Sequence, residues 1–144
     1  KKGFTDLNEA KRFAAETGCD WLSVAVGSIH GAIADGVRNQ KKPEARLDIQ
    51  HIADLSKITG IPLVLHGGSG IPDDQVKAAI AAGIRKMNVA TDVCCAFAEG
   101  TMDELNRPGH SVAVDLFMKP SIESVKKLAV EKIKLAGADG KANA

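Results

Sequence analysis

The residues best suited to chemistry follow an apolar stretch near the middle of the sequence. Leu63, Val64 and Leu65 lead directly into His66, and a glycine-rich turn with one serine, Gly67–Gly70, comes next. A run of Val and Leu without polar alternation is typical of a fully buried strand. An imidazole can ligate a metal ion, and a turn with few side chains leaves backbone N–H groups able to face an anion. This stretch therefore pairs a candidate metal ligand with a candidate phosphate-binding loop.

Two other apolar stretches end in a similar way. His30 follows residues 21–27 and precedes a glycine, and Asn88 stands near the end of residues 84–89. Two histidines at equivalent ends of neighbouring strands favour a metal site over unrelated packed or exposed side chains. A catalytic zinc site has three protein ligands, so a third ligand must come from elsewhere.

The remaining candidate ligands are expected to be ordinary residues. His51 falls in the middle of a predicted helix and His110 in a predicted loop. Cys94 and Cys95 fall inside the helix after Asn88, where small buried hydrophobic residues are expected. With Cys19 they form no CxxC spacing, which indicates a reducing, cytoplasmic setting.

The elements that position these residues alternate between helix and strand. Three times a predicted helix is followed by a glycine (Gly18, Gly60 or Gly83) and then by an apolar strand. Alternating helices and apolar strands predict an α/β fold with a parallel sheet, either an open doubly wound sheet or a (β/α)8 barrel. In both, the carboxyl ends of the strands form the site. Helices are predicted to begin near Asp6, Asp48, Pro72, Thr91 or Asp92, and Pro120.

Composition excludes several classes of partner. Net charge is +1 and aromatic residues make up 3% of the 144, which gives no basic field and no stacking platform for nucleic acid. No apolar run approaches the roughly 18 residues of a membrane span.

The polar stretch from Ala32 to Arg46 is either a binding loop or a solvated excursion. The sequence starts at Lys1, which leaves a fragment or a processed chain open.

A phosphate site can also be read from the order of the turns. Gly67–Gly70 follow one strand, and Ala90, Thr91 and Asp92 follow the next at a helix N-terminus. Backbone amides of both turns could converge on one phosphate, favoured by the helix dipole. In many (β/α)8 enzymes the loops after strands 7 and 8 do this. The alternative is a tight turn without a ligand.

Three motifs taken in order carry a family resemblance. Ser23–Gly31 (SVAVGSIHG), Pro62–Gly70 (PLVLHGGSG) and Asn88–Asp92 (NVATD) resemble the class II, zinc-dependent ketose-bisphosphate aldolases, the fructose- and tagatose-bisphosphate aldolases. The likeness runs from about Thr5 to Leu135. It implies a (β/α)8 barrel about twice this length, of which residues 1–136 are the C-terminal part, strands 6–8 with their helices. Residues 137–144 are expected to be a frayed or disordered tail.

The resemblance also implies roles for individual residues. Two of three Zn²⁺ ligands would be His30 and His66, and Asn88 would contact the enediolate. A monovalent cation, Na⁺ or K⁺, would bind near Gly31. The residues implied in binding dihydroxyacetone phosphate are Gly31, Gly67, Ser69, Asn88, Ala90, Thr91 and Asp92.

The implied activity is reversible aldol cleavage of a ketose 1,6-bisphosphate to dihydroxyacetone phosphate and glyceraldehyde 3-phosphate. Zinc would stabilise the enediolate as a Lewis acid, and a homo-oligomer is expected. In the family, a third zinc histidine, a catalytic aspartate and a glutamate belong to earlier strands, so this chain is expected to need the N-terminal half and to be inactive alone.

The sequence carries features of both fructose-type and tagatose-type enzymes and so does not decide between the two substrates. Ala90 resembles the tagatose type, because fructose-type enzymes often carry Asp there, whereas Gly67–Gly70 is common in the fructose type. Cys94 stands where related enzymes often place a basic residue. Two other functions stay open: a non-metal phosphate-binding barrel enzyme, with both strand-end histidines as ordinary polar residues, and a non-catalytic half-barrel with strand edges that another chain must cover.

Overall fold

A computed structural model of the chain describes residues 3–28 and 46–142. It forms two compact units, Lys1–Val89 and Ala90–Ala144. The predicted polar stretch between Ala32 and Arg46 lies almost wholly outside the described residues, as do His30 and Gly31.

The first unit alternates helices and strands as predicted. Its three strands are parallel and lie in the order β1-β2-β3, which confirms the α/β fold class. Leu22 pairs with Leu63 between β1 and β2, and the pairing of β2 with β3 shifts register between Leu63 and Val64. The elements are α1 (Leu7–Thr17), β1 (Leu22–Val24), α2 (Ile49–Thr59), β2 (Leu63–Leu65), α3 (Asp73–Ala82) and β3 (Ile84–Met87).

The helix ends follow the capping residues of the sequence. The Asp6 carboxylate accepts hydrogen bonds from the N–H groups of Asn8 and Glu9, and the Asp48 carboxylate accepts one from the His51 N–H. These bonds satisfy N–H groups that have no partner inside the helix. Gly18 and Gly60 take the left-handed conformation that ends α1 and α2.

The core of the first unit surrounds β2. All three β2 residues are buried, since neighbouring strands cover both edges and helices pack around the sheet. Ile52 and Leu55 of α2 and Ile84 of β3 are fully buried. The expectation of a buried stretch around Trp21 is wrong at that residue: β1 begins one residue later, and the indole is 53% exposed.

The second unit is helical, with α4 (Thr91–Asn106), α5 (Val114–Phe117) and α6 (Lys119–Leu135). Helix α4 packs closely on α6: a Cβ added at Gly100 would lie 2.6 Å from the Ser121 Cα. The hydroxyls of Thr101 and Ser121 are 2.8 Å apart at this contact, which gives the fully buried Ser121 its partner.

Three features of the second unit differ from the expectations. The N-cap of α4 is Ala90 without a side-chain bond, so Thr91 and Asp92 lie within the first turn and do not cap it. The short helix α5 has no expected counterpart. Cys94 and Cys95 are exposed rather than buried.

No helix in the described ranges is both long and apolar enough to cross a membrane.

A buried carboxylate ties the C-terminal end of α4 to the turn that follows. The Glu104 carboxylate is 5% exposed and accepts two hydrogen bonds from the Arg107 guanidinium and one from the Ser111 N–H. The Arg107 hydrogen bonds lower the pKa of Glu104; burial opposes them, and the Ser111 N–H and the nearby charge of His110 act in the same direction as Arg107. The turn that breaks the helix at Arg107 is therefore held by charge-assisted bonds.

A lowered pKa makes this carboxylate a source of acid-sensitive stability. The folded pKa lies below the unfolded value of about 4.3, so the contribution is present above that pH and is lost as the pH falls through the folded pKa. We expect Glu104→Gln to lower the free energy of unfolding at neutral pH, and to flatten its decline on acidification below about pH 4.3. Chemical denaturation at a series of pH values measures both effects.

Glu123→Gln is the matched control, because Glu123 also pairs with a cation three residues on, Lys126, but both side chains are about two-thirds exposed. An exposed pair contributes little. Equal pH profiles for the two variants would contradict the role given to Glu104.

Candidate active site at the strand ends

The candidate site lies at the carboxyl ends of β2 and β3. His66 follows the buried β2 directly and is exposed, whereas Asn88 follows β3 and is half-buried. Their side chains meet: the Asn88 Nδ2 is 2.9 Å from the His66 Nε2. Two residues 22 positions apart in the sequence are thus joined in one polar pair, as the parallel pairing of their strands predicts.

Backbone bonds fix this pair beyond the last strand residues. The Asn88 N–H donates to the Leu65 carbonyl at 2.9 Å, and the Gly68 N–H donates to the Asn88 carbonyl at 3.0 Å. The second bond occupies the Gly68 N–H, which is one of the turn amides that were predicted to be able to face an anion. The glycine turn is therefore tied to β3 as well as following β2.

The turn itself needs its glycines for two reasons. Gly67 and Gly70 have φ values of 69° and 78°, a region that side chains disfavour. Gly68 is buried, and a Cβ there would lie 3.0 Å from the Asn88 carbonyl oxygen and closer still to the Met87 side chain. Ser69, between Gly68 and Gly70 in the sequence, is half-buried. The close approach of this turn to β3 therefore excludes a larger residue at Gly68.

An open cavity of about 390 Å³ adjoins the pair on the β1 side. His66 lies in its wall, with residues from the end of β1 and from the segment before α1. Thr5 is held there by two bonds to Ala25: its N–H donates to the Ala25 carbonyl, and its hydroxyl accepts from the Ala25 N–H. The lining residues are Thr5, Ser23, Val24, Ala25, Ser28 and His66.

The two histidines that were expected to be ordinary residues lie in α2 and in the segment after α4. His51 packs its ring against Phe4, 5.7 Å between centroids, and its Nε2 is 2.7 Å from the Thr5 carbonyl oxygen. The pairing supports the segment that lines the cavity. His110 is exposed in the second unit.

The predicted phosphate residues after β3 belong to the second unit. Thr91 and Asp92 lie in the first turn of α4, and the Asp92 carboxylate forms an ion pair with Lys132 at 2.8 Å, each side chain 25% exposed. The negative charge at this helix start is thus balanced by a cation from α6 as well as by the helix dipole. A lysine on a helix is usually solvated, and the pairing of Lys132 is a tertiary contact that helical periodicity does not indicate.

The fit of this site to a metal rests on the donor set. His66 lies at a strand end beside a cavity, and its neutral imidazole could ligate a metal. The Nε2 of the ring faces the Asn88 amide donor, so the lone pair of the neutral ring lies on Nε2. A metal ion bound at Nε2 would replace the Asn88 N–H as the partner of that lone pair. Within residues 3–28 and 46–142 no three His, Cys, Asp or Glu side chains form a metal-sized group. The second expected ligand, His30, lies outside those ranges.

One polar residue of the site was missed in the sequence. Lys86 donates a hydrogen bond to the Asn88 Oδ1 at 2.8 Å. The available signal was the spacing of two residues, which places both side chains on the same face of an extended chain.

The packing at Gly68 predicts a testable coupling. We expect Gly68→Ala to reduce the free energy of unfolding by about 1–3 kcal/mol, because the added methyl group overpacks against Met87. Met87→Ala should restore part of this loss in the double variant, since it removes the atoms that the methyl group meets. Denaturation of the four proteins of the cycle measures the coupling. Strictly additive losses would contradict the contact of Gly68 with the Met87 side chain.

Comparisons with known proteins give the same family as the strand-end motifs. The family model of class-II fructose-bisphosphate aldolase matches residues 1–141. A protein of Escherichia coli K12, named as uncharacterized protein YdjI, is 36% identical over 140 residues, which are 96% of this chain and 45% of that protein. The 6-phospho-5-dehydro-2-deoxy-D-gluconate aldolase of Bacillus subtilis is 34% identical over 139 residues, with the same two coverages.

Solved structures agree. The crystal structure of the YdjI aldolase from Escherichia coli K12 superposes with a TM-score of 0.82 at 36% identity, covering 97% of this chain and 48% of that one. The fructose-bisphosphate aldolase of Campylobacter jejuni shares the fold, with a TM-score of 0.74 at 20% identity over 94% of this chain and 46% of that one. The chain spans about half the length of the relatives that it matches. By the family match over residues 1–141, this chain belongs to the class-II fructose-bisphosphate aldolase family.

Proposed function

We propose that residues 1–136 are strands 6–8 and the following helices of a (β/α)8 barrel, and that the complete protein is a metal-dependent aldolase acting on a phosphorylated ketose. The observation that carries this is the contact between His66 and Asn88 at the ends of adjacent parallel strands, directly before the glycine turn. The family match and the 45% coverage of relatives support it. Homo-oligomerisation and a cytoplasmic location stay predictions.

Aldol cleavage breaks the bond between the carbon next to the ketone and the carbon that carries the β-hydroxyl. The hydroxyl loses its proton to a base as its carbon becomes an aldehyde, and the electron pair of the broken bond moves onto the ketone oxygen as an enediolate. Protonation of the carbon then gives dihydroxyacetone phosphate. A catalyst for this reaction must place donors or cations at that oxygen.

The residues of this chain are assigned to the ketone-phosphate side of the substrate. Asn88 would donate its amide N–H to the enediolate oxygen. Gly31, Gly67, Ser69, Ala90, Thr91 and Asp92 would hold the phosphate-bearing three-carbon unit, which fixes the reacting bond. Zn²⁺ held by His30 and His66 would supply Lewis-acid stabilisation of the developing charge, and Na⁺ or K⁺ would bind near Gly31.

The base and the third zinc ligand are assigned to the part of the barrel that is not in this chain. On this proposal the isolated 144-residue chain neither binds zinc tightly nor turns over substrate. The chain would contribute substrate binding and two ligands to a site completed by the N-terminal half.

The substrate class is defined by the half that this chain would bind. The name of the Bacillus relative's substrate places a ketone at carbon 5 and a phosphate at carbon 6, so aldol cleavage of that compound also releases dihydroxyacetone phosphate. Fructose and tagatose 1,6-bisphosphates release the same unit. The gluconate-type substrate differs from the two bisphosphates in its second product, which carries a carboxylate instead of a phosphate. Fructose and tagatose 1,6-bisphosphates give the same two products and differ in the configuration of the carbon that becomes the aldehyde.

A direct test of the metal assignment replaces the described ligand. We expect His66→Ala in the complete enzyme to lose most of its zinc, measured by elemental analysis after dialysis, because a three-ligand site loses one of its ligands. His110→Ala is the control, since it removes an exposed histidine of the second unit and should retain about one zinc per chain. Full zinc content in His66→Ala would contradict the ligand role of His66, whereas a wild-type enzyme without zinc would favour the non-metal alternative.

The substrate is tested with a panel of three phosphorylated compounds: fructose 1,6-bisphosphate, tagatose 1,6-bisphosphate and 6-phospho-5-dehydro-2-deoxy-D-gluconate. Coupled detection of dihydroxyacetone phosphate reads all three reactions in one assay. We expect at least one to be cleaved, with activity abolished by a chelator and restored by Zn²⁺. Dihydroxyacetone phosphate release that survives chelation would contradict metal dependence.

A further inference from the structure

Lys86 occupies a defined place below the candidate site. It lies in β3, two residues before Asn88, which follows the strand, and so both side chains fall on the same face of the extended chain. In the sheet register it stands beside Val64, which stands beside Ser23 of β1. Its side chain reaches along the strand to the Asn88 amide, 2.8 Å from Nζ to Oδ1.

This bond determines which way the Asn88 amide faces. An ammonium group carries donors only, so the atom of the amide that faces Lys86 must be the carbonyl oxygen. The NH₂ group then faces the other way, towards His66 Nε2 at 2.9 Å. A cation at the oxygen also polarises the amide, which strengthens its N–H as a donor.

We propose that Lys86 is a positioning residue that keeps the donor end of the Asn88 amide facing the candidate active site. The inference rests on the proposed function, in which that amide stabilises a developing negative charge. Without Lys86, the two ends of the amide are nearly equal in shape and the side chain can turn over. Its carbonyl oxygen would then face the substrate oxygen and repel the charge that it should stabilise.

The neighbouring residue Arg85 provides a matched control on the same strand. It carries the same charge but points to the opposite face, where its guanidinium donates to the carbonyls of Ile80 and Ile84. Arg85→Met therefore removes an equal charge from β3 without touching the Asn88 amide.

The test uses the complete enzyme, assayed on the best substrate of the panel. We expect Lys86→Met to lower kcat by about 10- to 100-fold, with a much smaller change in KM and unchanged zinc content. Lys86→Arg, which also presents only donors, should recover much of the loss. Arg85→Met should leave kcat unchanged.

A double-mutant cycle shows whether Lys86 acts through Asn88. In an Asn88→Ala background, Lys86→Met should change kcat by less than about twofold, because the group that it positions is gone. The same 10- to 100-fold loss in that background would overturn the proposal, as would an Arg85→Met variant as impaired as Lys86→Met.

Nitrogen NMR of the metal-free enzyme gives a readout that does not depend on turnover. With the amide donating, His66 Nε2 is an acceptor and the ring proton sits on Nδ1; Lys86→Met should let the other tautomer appear. A wild-type ring protonated on Nε2 would contradict the proposed orientation. If the wild-type enzyme cleaves none of the three compounds yet shows the Nδ1 tautomer, the proposed function fails while the positioning by Lys86 stands.

Discussion

Hydrogen bonding between β2 and β3 continues past the ends of both strands, and the arrangement of the site depends on it. The Asn88 N–H bonds to the Leu65 carbonyl, and the Gly68 N–H bonds to the Asn88 carbonyl. These two bonds keep the residues that follow the strands in register after regular pairing has stopped. Because β2 is wholly buried, the register cannot slip without moving apolar side chains out of the core. His66 and Asn88 are thereby held within hydrogen-bond distance.

The polar groups at this end of the sheet form a short chain. Lys86 donates to Asn88, and the Asn88 amide donates to His66. Each link limits the next: a donor-only cation orients the amide, and the amide fixes which imidazole nitrogen keeps its lone pair. The chain ends at the imidazole nitrogen whose lone pair a metal ion would take in place of the Asn88 N–H, so Lys86 is linked to that nitrogen through the Asn88 side chain.

In the second unit, separate contacts allow α4 to pack closely on α6 and fix the turn that ends α4. Gly100 allows the backbone of α6 to approach α4, and the Thr101 and Ser121 hydroxyls pair at the contact. Glu104 is buried at the end of α4 and is satisfied by Arg107 and Ser111. A buried carboxylate without such partners would destabilise the unit, so the salt bridge and the end of the helix depend on each other.

Much of the fold could be predicted from local sequence, because helix caps, glycine stops and buried strands are determined by neighbouring residues. Asp6 and Asp48 begin helices, Gly18 and Gly60 end them, and residues 63–65 form the buried strand. The order of these elements also predicted that His66 and Asn88 would meet, since parallel strands bring their carboxyl ends to one edge. The class-II aldolase family followed from the motifs at those ends.

Contacts between distant residues were decided only by the tertiary structure. The pairing of Lys132 with Asp92 and the burial of Glu104 have no local signal, because a charged residue on a helix is usually solvated. The exposure of Cys94 and Cys95, contrary to expectation, depends on which face of α4 meets α6. The role of Lys86 likewise depends on the strand face shared with Asn88 and on the distance to its oxygen.

The sequence by itself determined which elements form and what chemistry stands at their ends, since both depend on residue type and spacing. Which side chains are paired, and which atom of each faces the site, depended on three-dimensional packing.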